Sequence, residues 1–303
     1  RLQDMIRYGQ RLYQDLFGRD DTLKQYLKKH AHFAKGACIV LRLFDTASEL
    51  WNIPWEYIHD GTEFLGLNPK FPILRYLVDT KPIRPMPNLT ELPNPLRILF
   101  VISNPRNAQP LNVEAEINRI QRAIKPASDK RLIEIEYVEQ ATLKNLENAL
   151  AKKPFHILHY SGHGVMTSRG SMLVMEDDKG MMLPTSLDQL APIISKGQDL
   201  RLIFLSACKA GNISETKASS GIATGLMRVV PAVVAMQFSI LDSSAGKLAE
   251  AFYGQIGNGA TLEEALFASR KNLYDHNEWL GDWGVPALYT QKPNVRLVDP
   301  TKE

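Results

Sequence analysis

The sequence predicts an α/β fold: a mostly parallel central sheet flanked by helices in three layers, with a mixed α/β extension at its N-terminus. Three observations carry this. From residue 96 onward, short apolar runs alternate with segments of helical period. Those runs are almost continuously apolar, as strands buried on both faces are. Pro82, Pro85, Pro87, Pro93 and Pro95 separate this regular part from what precedes it. The expected organisation is a mixed α/β region at 1–95, closed by a proline-rich linker at 81–95, and an α/β domain at 96–303.

In the N-terminal region, Met5, Ile6, Leu12, Leu16 and Phe17 recur at helical spacing. Residues 37–44 and 64–67 have strand character. Trp51, Trp55 and Tyr57 read as core anchors or a docking surface, and their apolar neighbours Leu50, Ile53 and Ile58 favour the core. The whole region is expected to pack against the sheet. In the second region, strands are predicted at 96–102, 132–138, 155–160, 202–205, 232–236 and 285–289. Helices are predicted at 112–124, 142–152, 186–196, 244–256 and 261–274, and a hairpin turns at Asp177-Asp178-Lys179-Gly180.

Composition excludes several function classes. Of 303 residues, 44% are hydrophobic and 23% charged, enough apolar material for a sizeable core. A net charge of +3, scattered along the chain, argues against a nucleic-acid or anionic-membrane partner. No apolar stretch reaches membrane-spanning length, and the first residues read as an amphipathic segment, not a leader. Two cysteines make no disulfide framework, so a reducing cytoplasm is expected. Cys38, in an apolar run, reads as a buried core thiol. The chain starts at Arg1, so a preceding regulatory or repeat domain is expected in a longer protein.

Open parallel sheets place their sites past the carboxyl ends of the strands. The third strand of the α/β region runs into Ser161-Gly162-His163-Gly164, and the fourth into Ser206-Ala207-Cys208-Lys209-Ala210-Gly211. If those two strands are neighbours, about 4.8 Å apart, His163 sits beside Cys208 at one edge of the sheet. A thiolate attacks carbonyls, and an imidazole can take the thiol proton and return it to a leaving amine. Gly162 and Gly164 are expected to let the backbone bend sharply at the histidine. The amides of Gly164 and Cys208 are candidates for an oxyanion hole, each donor worth roughly 3 kcal/mol in a transition state. His156 and His159, in the body of the strand, read as core or sheet-face residues.

Other motifs fail. No Gly-x-Ser-x-Gly elbow is present, and Ala245-Gly246-Lys247-Leu248 lacks the rest of a phosphate loop. Cys and His are not spaced as zinc ligands, and Asp177-Asp178 suits a turn. No metal or other cofactor is implied.

His159-Tyr160-Ser161-Gly162-His163-Gly164, followed by Leu205-Ser206-Ala207-Cys208-Lys209-Ala210-Gly211, resembles the CHAT domain, a family of caspase-related peptidases associated with tetratricopeptide repeats. Pro54-Trp55-Glu56 and Leu111-Asn112-Val113-Glu114-Ala115-Glu116 are similar to further segments of that family. The resemblance covers roughly residues 35–290. It implies a caspase-like fold and a cysteine endopeptidase with His163 and Cys208 as a catalytic dyad. It also implies a protein substrate, regulation, and in some members a role in bacterial defence. The segment Gln237-Phe238-Ser239-Ile240-Leu241-Asp242 resembles one that lines the pocket for the residue before the scissile bond. Ser239 and Leu241 depart from it, which leaves Gln237, Phe238 and Asp242 as pocket candidates. Asp242 would read a basic residue, or would cap the following helix. The competing readings are a catalytically silent scaffold, against which both dyad residues stand, and a nucleotide sensor. Ser103-Asn104-Pro105, after the first strand of the region, has no glycine for a phosphate loop.

Overall fold

The computed structural model describes residues 2–18, 25, 29, 39–44, 48–78, 81–168, 170–209, 218–276 and 281–301. An amphipathic helix α1 (Leu2–Phe17) precedes strand β1 (Ile39–Phe44), the short helix α2 (Ser48–Trp51) and β2 (Ile73–Val78). The regular part runs β3 (Leu96–Ile102), α3 (Val113–Asp129), β4 (Ile133–Val138), α4 (Leu143–Lys152) and β5 (Ile157–Thr167). The hairpin β6 (Gly170–Glu176) and β7 (Met182–Thr185) follows, then α5 (Leu187–Ile194) and β8 (Leu202–Lys209). The chain continues through α6 (Ala218–Leu226), β9 (Ala232–Met236), α7 (Asp242–Gly257), α8 (Leu262–Asp275) and β10 (Pro286–Thr290).

One ten-stranded sheet has the order β1-β2-β10-β9-β8-β5-β3-β4, with the β6–β7 hairpin attached to β5. Pairing is parallel except around β10–β9 and the hairpin. Alternation along the strands sends side chains to two apolar layers. Ile98, Phe100, Ile157 and Phe204 pack under α3, α7 and α8 through Ile120, Ile124, Leu248, Phe252 and Leu266. Leu99, Val101, Leu158 and Leu205 pack under α4, α5 and α6 through Leu146, Leu150, Leu190 and Leu226. This is the three-layer arrangement that the alternating pattern predicts.

The N-terminal region differs from expectation in three ways. Beyond packing against the sheet, it contributes β1 and β2 to it. The apolar run at 64–67 is no strand: Leu65–Leu67 form a 3-10 turn held by Leu67 N–H to Phe64 O. A Cβ on Gly66 would lie 2.3 Å from the Glu56 carbonyl, so this turn presses onto the Trp55–Tyr57 turn. The unforeseen strand is β2, where Arg75 interrupts the apolar run. Trp51, Trp55 and Tyr57 are buried, as expected. Cys38 lies outside the described residues.

β2 accommodates Arg75 because its partners are buried with it. Glu56 takes both terminal nitrogens of the Arg75 guanidinium, with Nη2 2.9 Å from Oε2. Arg270 of α8 lies 3.4 Å from the same carboxylate and donates to the Pro286 carbonyl at 2.8 Å. Gln237, at the end of β9, donates to Glu56 at 2.7 Å and accepts from Arg75 at 2.8 Å. Buried charges persist only when paired and hydrogen-bonded. This cluster stitches the N-terminal turns to β2, β9 and α8.

Candidate active site

The chain reverses its direction of travel across the sheet at β3. β4 lies on one side of β3, and β5 then β8 on the other. Sites gather at such switch points, beyond the carboxyl ends of the strands. Here β5 and β8 pair in parallel with Ser161 opposite Ser206, Gly162 opposite Ala207 and His163 opposite Cys208. The predicted pair therefore occupies matching positions on adjacent strands.

His163 is only 2% exposed and is oriented by the β3–α3 loop. Its Nε2 donates to the Gln109 carbonyl at 2.9 Å. A carbonyl can only accept, so the neutral ring carries its proton on Nε2 and keeps its lone pair on Nδ1. Nδ1 is buried and has no hydrogen-bond partner among the described atoms. An imidazole held this way is ready to take a proton at Nδ1. The loop bearing Gln109 is itself anchored. Arg106 N–H donates to the Gly180 carbonyl at 3.0 Å, Met182 N–H to Asn107 Oδ1 at 2.7 Å, and Leu111 N–H to Asn104 Oδ1 at 3.2 Å.

The backbone of His163 is tied from the other face of β5. Tyr160 Oη donates within reach of the His163 carbonyl (2.9 Å) and the Val174 carbonyl (2.6 Å). Burial raises the Tyr160 phenol above its ordinary value, so it stays a donor. These contacts correct the expected role of the glycines. Ser161-Gly162-His163-Gly164 is not a sharp bend but the interior of an eleven-residue strand. Neither glycine is among those with positive φ. Gly162 is required for space: a Cβ there would lie 2.4 Å from Tyr160 Oη. Gly164, opposite Lys209 and Leu173, is open among the described atoms, the nearest to a Cβ there being Ala207 Cβ and the Met172 carbonyl at 3.9 Å.

Beneath the pair lies a group outside the two strand-end motifs. Glu116 of α3 is 8% exposed. Its Oε2 accepts from Ser161 Oγ at 2.6 Å and its Oε1 from Ser206 Oγ at 2.7 Å. His159 Nε2 lies 3.3 Å from Oε1, while His159 Nδ1 meets Tyr253 Oη at 2.9 Å. The His159 ring stacks between Phe100 and Phe204, as a core histidine. His156 is likewise structural: its Nδ1 accepts from the Arg97 N–H at 2.9 Å. Burial pushes the Glu116 carboxyl upward, but the contacts with His159, Ser161 and Ser206 outweigh it and hold the group below its ordinary value. A small cleft of about 20 Å³ opens here, lined by Leu111, Asn112, Glu116, Gly162, Ser206 and Ala245 among others. A signal for Glu116 was present in the sequence. Val113, Glu116, Ile120 and Ile124 share the buried face of α3, so an acid stands in an apolar stripe.

Of the pocket candidates, Gln237 and Phe238 are not among the residues that line this cleft. Gln237 is engaged by Glu56 and Arg75. Phe238 is partly buried and packs on the core layer under α7 and α8. Asp242 opens α7, and its side chain lies outside the described atoms, as do Ala210 and Gly211. Among the described residues, no helix is long and apolar enough to cross a membrane.

The sheet order, the flanking layers and the strand-end pair define a caspase-like fold. Gingipain R, described as an Arg-specific cysteine proteinase, superposes with a TM-score of 0.53 at 13% identity, covering 92% of this chain and 68% of that one. The complex of pro- and mature domains of Porphyromonas gingivalis RgpB gives 0.50 at 11% identity, covering 92% and 70%. The chain belongs to the CHAT domain family, whose model matches residues 7–291. A protein of Gillisia limnaea named "Probable protease" is 27% identical over 146 residues, 47% of this chain and 25% of that protein. The match thus spans a quarter of its curated relative's length.

Proposed function

We propose that this chain is a cysteine endopeptidase acting on a protein substrate, with Cys208 as nucleophile and His163 as general acid and base. The observation that carries the reading is His163: Nε2 is committed to the Gln109 carbonyl, Nδ1 has no partner among the described atoms, and the facing backbone position is Cys208. In this reading Nδ1 takes the thiol proton and the thiolate adds to the substrate carbonyl. The amides of Gly164 and Cys208 hold the oxyanion, and the open space at Gly164 leaves room for the substrate to approach. His163 then returns its proton to the leaving amine, and water, deprotonated by His163, releases the acyl group from sulfur. The name of the Gillisia limnaea relative and the fold shared with cysteine proteinases support the same chemistry. Regulation by an accompanying domain and a part in bacterial defence rest on the family resemblance, and a cytoplasmic setting on the two cysteines, which make no disulfide framework.

The test is labelling with peptide acyloxymethylketones that differ in the residue before the ketone, on wild type, Cys208→Ala and His163→Ala. Wild type is expected to label and both variants to lose labelling, with Cys208 identified as the modified residue by mass spectrometry. A folded wild type that cleaves a library peptide as fast after Cys208→Ala would refute the assignment.

A further inference from the structure

We propose that Glu116 is a positioning residue for the His163–Cys208 pair: its buried carboxylate bridges Ser161 and Ser206 and so fixes the two strand ends against each other and against α3. The inference rests on the dyad reading, because that pair is what the bridge would hold in place.

The sheet itself shows why a bridge is needed here. Pairing of β5 with β3 ends at Ser161, opposite Ile102. Pairing of β8 with β9 ends at Leu205, opposite Ala235. Beyond these rungs β5 and β8 continue together to Gly164 and Lys209, and β6 joins β5 only from Gly164, so His163 and Cys208 stand at a rung where neither strand is paired on its outer side. Glu116 acts beside that gap in the lateral support. It reaches the two serines that stand opposite each other in the register, each two residues before a member of the pair.

The chemistry of the position points the same way. An acid on the apolar face of α3 carries a desolvation cost that an aliphatic residue would avoid, so stability alone does not call for it. Its two oxygens already accept from two hydroxyls, with His159 on the same side, so the carboxylate faces its own strands rather than a bound ligand. Tyr253 approaches from α7 through His159. Arg119, the nearest cation along α3, is directed to Glu250 at 3.4 Å. Hydroxyl donors give short, directional bonds to a carboxylate, which suits spacing two strands better than a flexible ion pair. A displacement of about 1 Å in a reacting pair can cost on the order of 100-fold in rate.

The experiment measures the pH dependence of Cys208 alkylation by iodoacetamide, read on the Cys208 peptide by mass spectrometry, beside the rate of acyloxymethylketone labelling. Wild type, Ser206→Ala, Glu116→Ala and Glu116→Gln are compared, each checked for a cooperative melt. An imidazole in place lowers the alkylation midpoint below the free-thiol value of about 8.5. Ser206→Ala and Glu116→Ala are expected to move it back toward that value and to slow probe labelling about 10- to 100-fold. Glu116→Gln, which can accept from one serine and donate to the other, is expected to keep most of the wild-type profile. If Glu116→Ala does not fold, Ser206→Ala, which removes one hydroxyl, decides alone. A depressed wild-type midpoint shared unchanged by the folded alanine variants overturns the positioning role while the dyad stands. A wild-type midpoint already at the free-thiol value overturns the dyad itself, and the positioning role with it.

Discussion

Two buried glutamates hold this protein together in different company. Glu56, fully buried, sits between two cations: Arg75 takes it with two nitrogens, and Arg270 stands 3.4 Å away. Glu116 receives two neutral hydroxyls and the edge of a histidine. The first arrangement is a staple between distant pieces of chain, joining residues 19 and 214 positions apart. The second joins two adjacent strands at one rung. One carboxylate cannot serve two guanidinium groups equally, and the arginines show it. Burial lowers Arg75 but the Glu56 charge overcomes it and raises the group, whereas burial leaves Arg270 lowered to about 10 despite Glu56. The lesson is that an ionic hub tolerates little alteration, because removing its one anion strands two buried cations. A hydroxyl-bonded hub offers tuning instead of bulk stability.

The sharpest way to break that contrast is the same isosteric change at both sites. Glu56→Gln leaves Arg75 and Arg270 buried without a counter-charge and is expected to cost about 3–5 kcal/mol. Glu116→Gln keeps a hydrogen-bonding amide between two hydroxyls and is expected to cost on the order of 1 kcal/mol. Urea denaturation of the two variants checks the ordering. Equal losses, or a larger loss at Glu116, would erase the distinction between staple and spacer.

The spacer works on one face of β5, and a second contrast lies on the other. A methyl at Gly162 would meet Tyr160 Oη at 2.4 Å and Ser103 Cβ at 3.0 Å, while one at Gly164 meets nothing closer than 3.9 Å. Gly162→Ala is therefore expected to destabilise by about 1–3 kcal/mol through overpacking. It would also push Tyr160 off the His163 carbonyl, so probe labelling should fall more than stability does. Gly164→Ala should melt within a degree or two of wild type, since alanine suits extended backbone at least as well as glycine. Thermal melts of the pair decide the matter. Equal tolerance at both positions would mean that Tyr160 is not held against the histidine segment as the packing shows.

These contrasts also mark what was legible before the structure. Strands β3, β5, β8 and β9 announce themselves as apolar runs that end at His163 and Cys208 in two cases, but that these two strands are neighbours in matching register comes from the sheet order. β2 was illegible because Arg75 breaks its pattern, and its compensating partner stands 19 residues earlier in a turn. The Gln109 carbonyl could not be read at all, since every residue carries a carbonyl and only the fold selects one. The Ser-x-His and Ser-x-Cys spacings were visible, but their meaning needed Glu116, 45 residues before Ser161 and 90 before Ser206. Gln237 was a pocket candidate only through the family-like segment 237–242; its contacts with Glu56 and Arg75 were not legible, because those partners stand 181 and 162 positions away.

The smallest expected effect is a difference in acid response, and it tests the charge state of the spacer. The folded Glu116 carboxyl is held below its ordinary value of 4.5, because contacts with His159, Ser161 and Ser206 outweigh burial. A depressed carboxyl binds fewer protons folded than unfolded, so stability rises with pH through this range. Its contribution is fully present above about pH 4.5 and is lost as pH falls through the folded value. Glu116→Gln has no such group. The melting-temperature gap between wild type and Glu116→Gln should therefore stay constant above about pH 4.5 and close as the pH is lowered further. Thermal melts from pH 3 to 7 read it directly. A gap that instead widened in wild type's favour on acidification would mean that Glu116 is buried neutral, its burial having won over its donors. The serines would then be held by a shared proton and not by a charge.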